Sequence, residues 1–151
     1  MLQAIRSYCR ATGQPVPATV GEFARCCFES LSLAYWSALQ ALRSLTGREI
    51  HTIRVVGGGC LNTLLCQMTA DACASVVVSG PVEASALGNV MLQAVAIGAL
   101  PDIAAGRASI GESLQCASYT PQPGDGWNDA QTRYSRLEAY VPEQQKIRVA
   151  N

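Results

Sequence analysis

Apolar residues recur every three or four positions between residues 20 and 45: Val20, Phe23, Cys27, Leu31, Ala34, Ala38, Ala41 and Leu45. That spacing traces one face of an α-helix, and Tyr35, Trp36 and Leu39 widen the stripe. Thr19 and Glu22 stand three apart just ahead of the run, the arrangement of a reciprocal capping box. Gly47 is placed to end the helix in a left-handed turn. The pattern predicts a helix over 19–46, about 40 Å long. Its broad apolar face requires a sheet or other helices to cover it.

The pattern then changes period. Residues 49–56 read as a strand, with Ile50, Ile53, Val55 and Val56 supplying apolar character. Leu61, Leu64, Leu65, Met68 and Ala72 form the stripe of a helix over 61–73. The β-branched run 75–79 reads as a short buried strand, parallel to the first because a helix intervenes. Gly80 and Pro81 end it. A third helix is predicted over 83–100, with the Glu83 carboxylate in its first turn, where the helix dipole favours it. Gly88 lies inside that helix beside Ala84, Ala94 and Gly98. It marks either close approach of a backbone or ligand, or tight helix packing alone.

Asp102 is placed to cap a weaker helix over 103–114, and 119–126 reads as an extended loop. A last helix is predicted over 127–141, carrying Ala130, Tyr134, Leu137 and Val141 on one face. Pro142 closes it and 143–151 are expected to fray. At the other end, residues 3–11 are the end of a helix or an incoming connector, and 13–17 is a breaker segment rich in Gly and Pro. No internal repeat or low-complexity segment is present. The expected organisation is an incoming segment at 1–18, a main domain at 19–119 and a tail with a terminal helix at 120–151.

Composition narrows the function. The 151 residues suffice for one domain with a real core. Hydrophobic residues make up 49% and charged residues 15%, an apolar balance that points to surface meant for a partner or a further domain. Zero net charge argues against a nucleic-acid binder. No apolar run reaches the ~18–20 residues that cross a bilayer. Met1, Leu2 and Gln3 lead straight into polar residues without a signal peptide, so the expected compartment is the cytoplasm. Seven cysteines, one histidine and no Cys-x-x-Cys give little support to a metal site. An odd thiol count reads as reduced side chains acting as small core hydrophobes. Cys9 and Cys26 flank the proline-containing turn and are the one candidate pair for a bridge. His51 sits at a strand start as a surface residue.

Candidate chemistry sits at Gly57, Gly58 and Gly59, between a strand and a helix. Glycines let a phosphate approach backbone N–H groups closely, and a helix start adds unpaired donors and the positive end of its dipole. Three glycines alone also make an ordinary turn. Asn62, at the mouth of the helix, either caps it or meets a ligand.

Three segments together resemble the FGGY carbohydrate kinases. The second signature of that family resembles Gly21-Glu22-Phe23-Ala24-Arg25-Cys26-Cys27-Phe28-Glu29-Ser30. Its second phosphate loop resembles Val55-Val56-Gly57-Gly58-Gly59-Cys60-Leu61-Asn62. The helix start that follows resembles Gly80-Pro81-Val82-Glu83-Ala84-Ser85-Ala86-Leu87-Gly88-Asn89. The resemblance runs from about residue 3 to residue 119. Within the family, residues 4–15 and the Pro-Val-Glu-Ala and Leu-Gly-Asn pieces are similar to the branch that phosphorylates L-rhamnulose at O1.

The resemblance implies part of an actin-like, ribonuclease-H-like α/β fold, helix-rich with a small, mainly parallel sheet. It implies transfer of a phosphoryl group from ATP with Mg2+ to a sugar hydroxyl. Gly57, Gly58 and Gly59 are then expected at the ATP phosphates or ribose, Asn62 near the nucleoside, and residues 83–88 as a support for the loop. The first phosphate loop, the sugar-binding residues and the aspartate base of the family have no counterpart here. Asp71, Asp102, Asp125 and Asp129 all lie away from the expected site. The chain is therefore expected to be part of a longer kinase, packing against a missing N-terminal domain, binding L-rhamnulose only with that domain and not turning over alone. The alternatives are a fragment of another kinase of this family, or a non-catalytic nucleotide-binding or interaction module. A dinucleotide-binding enzyme is the weakest reading. The spaced G-x-G-x-x-G is absent, and Ser79 stands where an acidic residue would end the next strand.

Overall fold

The computed structural model describes residues 1–113, 116–124 and 126–138. Within them the chain runs α1 (Leu2–Ala11), α2 (Val20–Thr46), β1 (Thr52–Val55), α3 (Thr63–Cys73), β2 (Val76–Ser79), α4 (Ala84–Ala96), α5 (Ile103–Ser113), β3 (Ser118–Tyr119) and α6 (Gly126–Glu138). The expected positions Leu114, Asp125, Val141, Pro142 and 143–151 fall outside the described residues.

Local signals set the ends of α2. The Thr19 hydroxyl accepts from Glu22 N at 3.2 Å, and Glu22 Oε2 accepts from Thr19 N at 3.1 Å and Ala18 N at 2.6 Å. These backbone donors hold the Glu22 carboxyl below its usual range. Gly47 closes the helix with φ 63°, donating its N–H to Arg43 O at 2.9 Å. The buried face overlaps the expected stripe only in part, at Phe23 and Leu39. Phe23, Ser32, Leu33 and Leu39 are buried, whereas Val20 and Leu45 are each 86% exposed. The neighbours of α2 decide this. Helices α3 and α6 pack on it, so burial follows them rather than the full apolar stripe. The N-terminal segment is a helix. Arg6 of α1 lies over the Phe23 ring, 5.1 Å from its centroid.

The centre of the molecule is α3. Leu65, Cys66, Met68, Thr69, Ala70, Ala72 and Cys73 are all buried, because α2 lies on one side and the sheet on the other. Leu61 and Leu64, expected in its stripe, are 68% and 48% exposed. They precede the turns that the sheet covers.

The sheet has three strands in the order β1-β2-β3. Strands β1 and β2 run parallel, pairing Thr52 with Val76, Ile53 with Val77, Arg54 with Val78 and Val55 with Ser79. Antiparallel β3 pairs Tyr119 with Val77 and Ser118 with Val78. The sheet is therefore mixed rather than mainly parallel. A two-residue strand in a polar, proline-rich loop carries no alternation to read. Cys66, Ala70 and Val77 form the fully buried cluster, with Ile53, Val55 and Tyr119 packed against it. The ladder begins where Val76 N donates to His51 O at 2.9 Å. Just ahead, Arg43 Nη2 donates to Ile50 O at 2.6 Å and Ser75 Oγ at 3.2 Å. This bond pattern leaves Glu49, Ile50 and His51 outside the strand.

Helices α4 and α5 form a hairpin. The first ends before Gly98, which takes φ 76°, so it is shorter than the expected 83–100. Asp102 Oδ1 accepts from Ala105 N at 2.8 Å, the expected cap of α5. The close approach lies at Gly106, not Gly88. A Cβ at Gly106 would collide with Met91 and lie 3.3 Å from Leu100 Cδ1, whereas one at Gly88 meets nothing within 4 Å. No residue of α4 is buried.

The segment after residue 119 is bound to the main body. Asp71 Oδ1 accepts from Gln122 N and from Gln67 Nε2, both at 2.8 Å, and Gln67 Nε2 also donates to Thr120 O at 2.9 Å. Gln131 Nε2 of α6 donates to Ala72 O at 2.8 Å, and Ser37 Oγ of α2 donates to Glu138 Oε2 at 3.0 Å.

Candidate functional site

The glycine loop joins the C-terminal end of β1 to α3. Gly57 takes φ 74° and ψ −167°, a region open to glycine alone. Its N–H donates to Pro81 O at 3.1 Å, and Gly80 N donates to Val55 O at 2.8 Å. The loop is thus fastened to the turn after β2. A short 3-10 turn, Gly58–Leu61, follows. Within it Cys60 N donates to Gly57 O at 3.1 Å and Asn62 N to Gly59 O at 3.2 Å. Asn62 then serves as the N-cap of α3, its Oδ1 accepting from Leu65 N at 3.0 Å.

These bonds leave a row of donors open. The N–H groups of Gly58 and Gly59 precede the first bonds of the 3-10 turn, and those of Thr63 and Leu64 precede the first bonds of α3. None of the four has an acceptor among the described residues. Both glycines are exposed, and a Cβ at Gly58 would meet nothing within 4 Å. Open N–H groups beside a helix start, with the positive end of its dipole, can accept an anion.

Gly57, Gly58, Gly59 and Asn62 are therefore brought together. The bond that fastens the loop comes from the turn just ahead of residues 83–88. Pro81 bonds to the loop and Val82 O lies 4.0 Å from where a Gly57 Cβ would be. Glu83 is the N-cap of α4 without a side-chain bond. Sequence reading did not single out Pro81 O, although a Gly-Pro pair closing the neighbouring strand was a usable signal.

Other candidates lie elsewhere. Asp71 is engaged with Gln67 and Gln122, and Asp102 with Ala105. His51 is exposed. Cys9 and Cys26 are both free thiols, buried and half-buried respectively. They border a groove of about 1050 Å³ between α1, α2 and α6. Burial first, and then the neighbouring thiols of Cys9 and Cys27, push Cys26 up from the usual thiol range. Among the described residues no group of three or more His, Cys, Asp or Glu is arranged to hold a metal ion. No helix among them is long and apolar enough to cross a membrane.

The sequence profile of the C-terminal domain of the FGGY family of carbohydrate kinases matches residues 2–97. The chain belongs to this family. It is 50% identical to the rhamnulokinase of Bacteroides thetaiotaomicron over 130 residues, which is 86% of this chain and 27% of that protein. It is 46% identical to that of Pectobacterium atrosepticum over 122 residues, 81% of this chain and 25% of the relative. For Klebsiella pneumoniae the identity is 43% over 123 residues, 82% and 25% of the respective chains. The chain thus spans about a quarter of the length of these relatives. The glycine loop lies inside the matched region, as do α1, α2, α3 and both parallel strands.

Proposed function

We propose that this chain supplies part of the ATP-binding surface of a kinase that phosphorylates L-rhamnulose at O1. The carrying observation is the row of open N–H groups at Gly58, Gly59, Thr63 and Leu64, directly after a parallel strand. In this reading the glycine amides and the start of α3 hold the ATP phosphates. Asn62 lies near the nucleoside while its Oδ1 fixes the first turn of α3. Fixed donors in this position stabilise negative charge as it redistributes during phosphoryl transfer, without reorganising at the moment of reaction. Identity to rhamnulokinases supports the choice of sugar.

Kinases of this family imply a divalent metal with the nucleotide. The described residues offer no carboxylate cluster for one, so no step is assigned to the metal on this chain. The sugar site and the general base are placed in the kinase polypeptide beyond these residues, in an N-terminal domain that packs on this one. A base has to reach the sugar hydroxyl, and the aspartates Asp71 and Asp102 are committed to structural bonds.

An amide-resolved titration with MgATP tests the reading. Shifts at Gly58, Gly59 and Thr63 with affinity of about millimolar or better are expected. Gly58→Val should abolish them while the chain stays folded, because the protein leaves space at that position. A folded wild-type chain with unmoved Gly58 and Gly59 amides would overturn the assignment and favour a non-catalytic interaction module. Coupled assays with L-rhamnulose should be blank for this chain alone.

A further inference from the structure

The 3-10 turn of the glycine loop is tied to its surroundings on two sides. Toward β2, Gly57 N donates to Pro81 O at 3.1 Å. Toward α3, the Cys66 thiol donates to Cys60 O at 3.9 Å, across six residues. Cys60 sits in the middle of the turn and is itself only 7% exposed. Its carbonyl gains a partner from Cys66, and a buried carbonyl without one is costly.

Cys66 also faces the sheet. It is fully buried and forms the core cluster with Ala70 and Val77, against which Ile53 and Val55 pack. One small side chain therefore touches the strand core and the loop at once. Burial, reinforced by the Cys60 thiol, pushes Cys66 above the usual thiol range. It stays protonated and keeps the hydrogen it donates. Thiol hydrogen bonds are individually weak. This one matters because, apart from the Gly57–Pro81 bond and the cap at Asn62, the turn is held by bonds internal to itself.

We propose that Cys66 is a positioning residue for the glycine loop: by holding Cys60 O against the strand core, it keeps the Gly58 and Gly59 N–H groups aimed together at one phosphate. The proposal rests on the reading of the loop as an ATP site. A larger polar group would not fit the core, and an apolar one would leave Cys60 O without its partner.

The test compares Cys66→Ala, which removes the donor, with Cys66→Ser, which keeps one. Amide hydrogen exchange at Cys60 and Asn62 is measured without nucleotide, and MgATP affinity from the Gly58 and Gly59 shifts. Alanine should speed exchange and weaken affinity by about two- to five-fold, the range of a weak hydrogen bond. Serine should recover only part of both, because its shorter C–O bond holds the hydroxyl farther from Cys60 O than the 3.9 Å of the thiol. Cys66→Val fills the volume without a donor, should stay as impaired as alanine, and replaces it should the alanine variant not fold. Valine behaving like the wild type would show a packing role only and overturn the proposal, as would unchanged exchange and affinity in all variants. A wild-type chain that ignores MgATP overturns the reading of the site and this proposal with it. That case is distinguished by exchange at Cys60 and Asn62 that still accelerates in the alanine variant.

Discussion

Gly57 donates its N–H to the carbonyl of Pro81 at 3.1 Å, so the glycine loop after β1 is held by the turn after β2. Two parallel strands end side by side, and each hands its chain to a helix: β1 through Gly57 to α3, β2 through Pro81 to α4. The crevice beyond the carboxyl ends of parallel strands is where α/β sheets commonly place ligands. Here the bond between the two exits holds the glycine loop and the turn after β2 together.

Gly57 and Gly58 should respond differently to alanine. Gly57 lies at φ 74° and ψ −167°, so Gly57→Ala should cost about 1–3 kcal/mol and disturb the bond to Pro81. Gly58 has a permissible backbone and nothing within 4 Å of an added Cβ, so Gly58→Ala should leave stability nearly unchanged. Urea denaturation of the two variants checks this. Equal stabilities would contradict the assigned strain.

Arg43 ties the end of α2 to the starts of both parallel strands. Its Nη2 meets Ile50 O at 2.6 Å and Ser75 Oγ at 3.2 Å. Arg43→Met keeps the length and removes the donors, and is expected to destabilise by about 1.5–3 kcal/mol, the range for hydrogen bonds to charged groups. Thermal unfolding reads the loss. A loss below about 0.5 kcal/mol would place Arg43 among ordinary surface residues.

What could be read in advance was what neighbours in sequence decide. Thr19 and Glu22 cap α2, Gly47 ends it, Asn62 starts α3 and Asp102 starts α5, each through a bond spanning four residues or fewer. What resisted reading depends on distant partners. The buried face of α2 follows α3 and α6, and β3 exists because Tyr119 meets Val77, 42 positions earlier. The position of the three glycines was legible from their flanking strand and helix, but their tether at Pro81 comes from the other strand. Burial at Cys66 likewise comes from β1 and β2, so its place under the loop has no local signature.

Two glycines in the α4–α5 hairpin provide a contrast that sequence alone misplaced. Gly88→Ala should stabilise by up to about 1 kcal/mol, since the helix gains propensity and nothing lies within 4 Å of the new methyl. Gly106→Ala drives a methyl into Met91 and should destabilise despite the same propensity gain. Adding Met91→Ala should recover part of that loss, and a double-mutant cycle measures the coupling.

Ser32 is fully buried on α2, and its hydroxyl has no partner among the described residues. Burying an unpaired hydroxyl costs free energy that alanine avoids. Ser32→Ala should therefore be neutral or stabilising by up to about 1 kcal/mol. A clear drop in melting temperature would reveal a bond that the described structure does not contain.

Cys73 makes stability fall at alkaline pH. Burial pushes its thiol from 9.0 up to about 11, with the Arg43 charge opposing the shift. Between those values the unfolded chain gives up the proton while the native chain keeps it, so the native state binds more protons and stability falls as pH rises. The contribution is whole below pH 9.0 and lost as pH passes about 11. Cys73→Ala should flatten the alkaline limb of a stability–pH curve, once measured against the same variant at neutral pH. Thiol labelling provides an independent reading, because the reactive species is the thiolate. Exposed Cys116 should react first, and Cys73, with its raised pKa and 1% exposure, only as the chain opens. The same experiment reports on Cys9 and Cys26: after mild oxidation, a bridge between them would remove two thiols from the count on unfolding, whereas a full count leaves both as the free thiols of this structure. A Cys73 that labels as fast as Cys116 at neutral pH would contradict both its burial and the predicted alkaline loss.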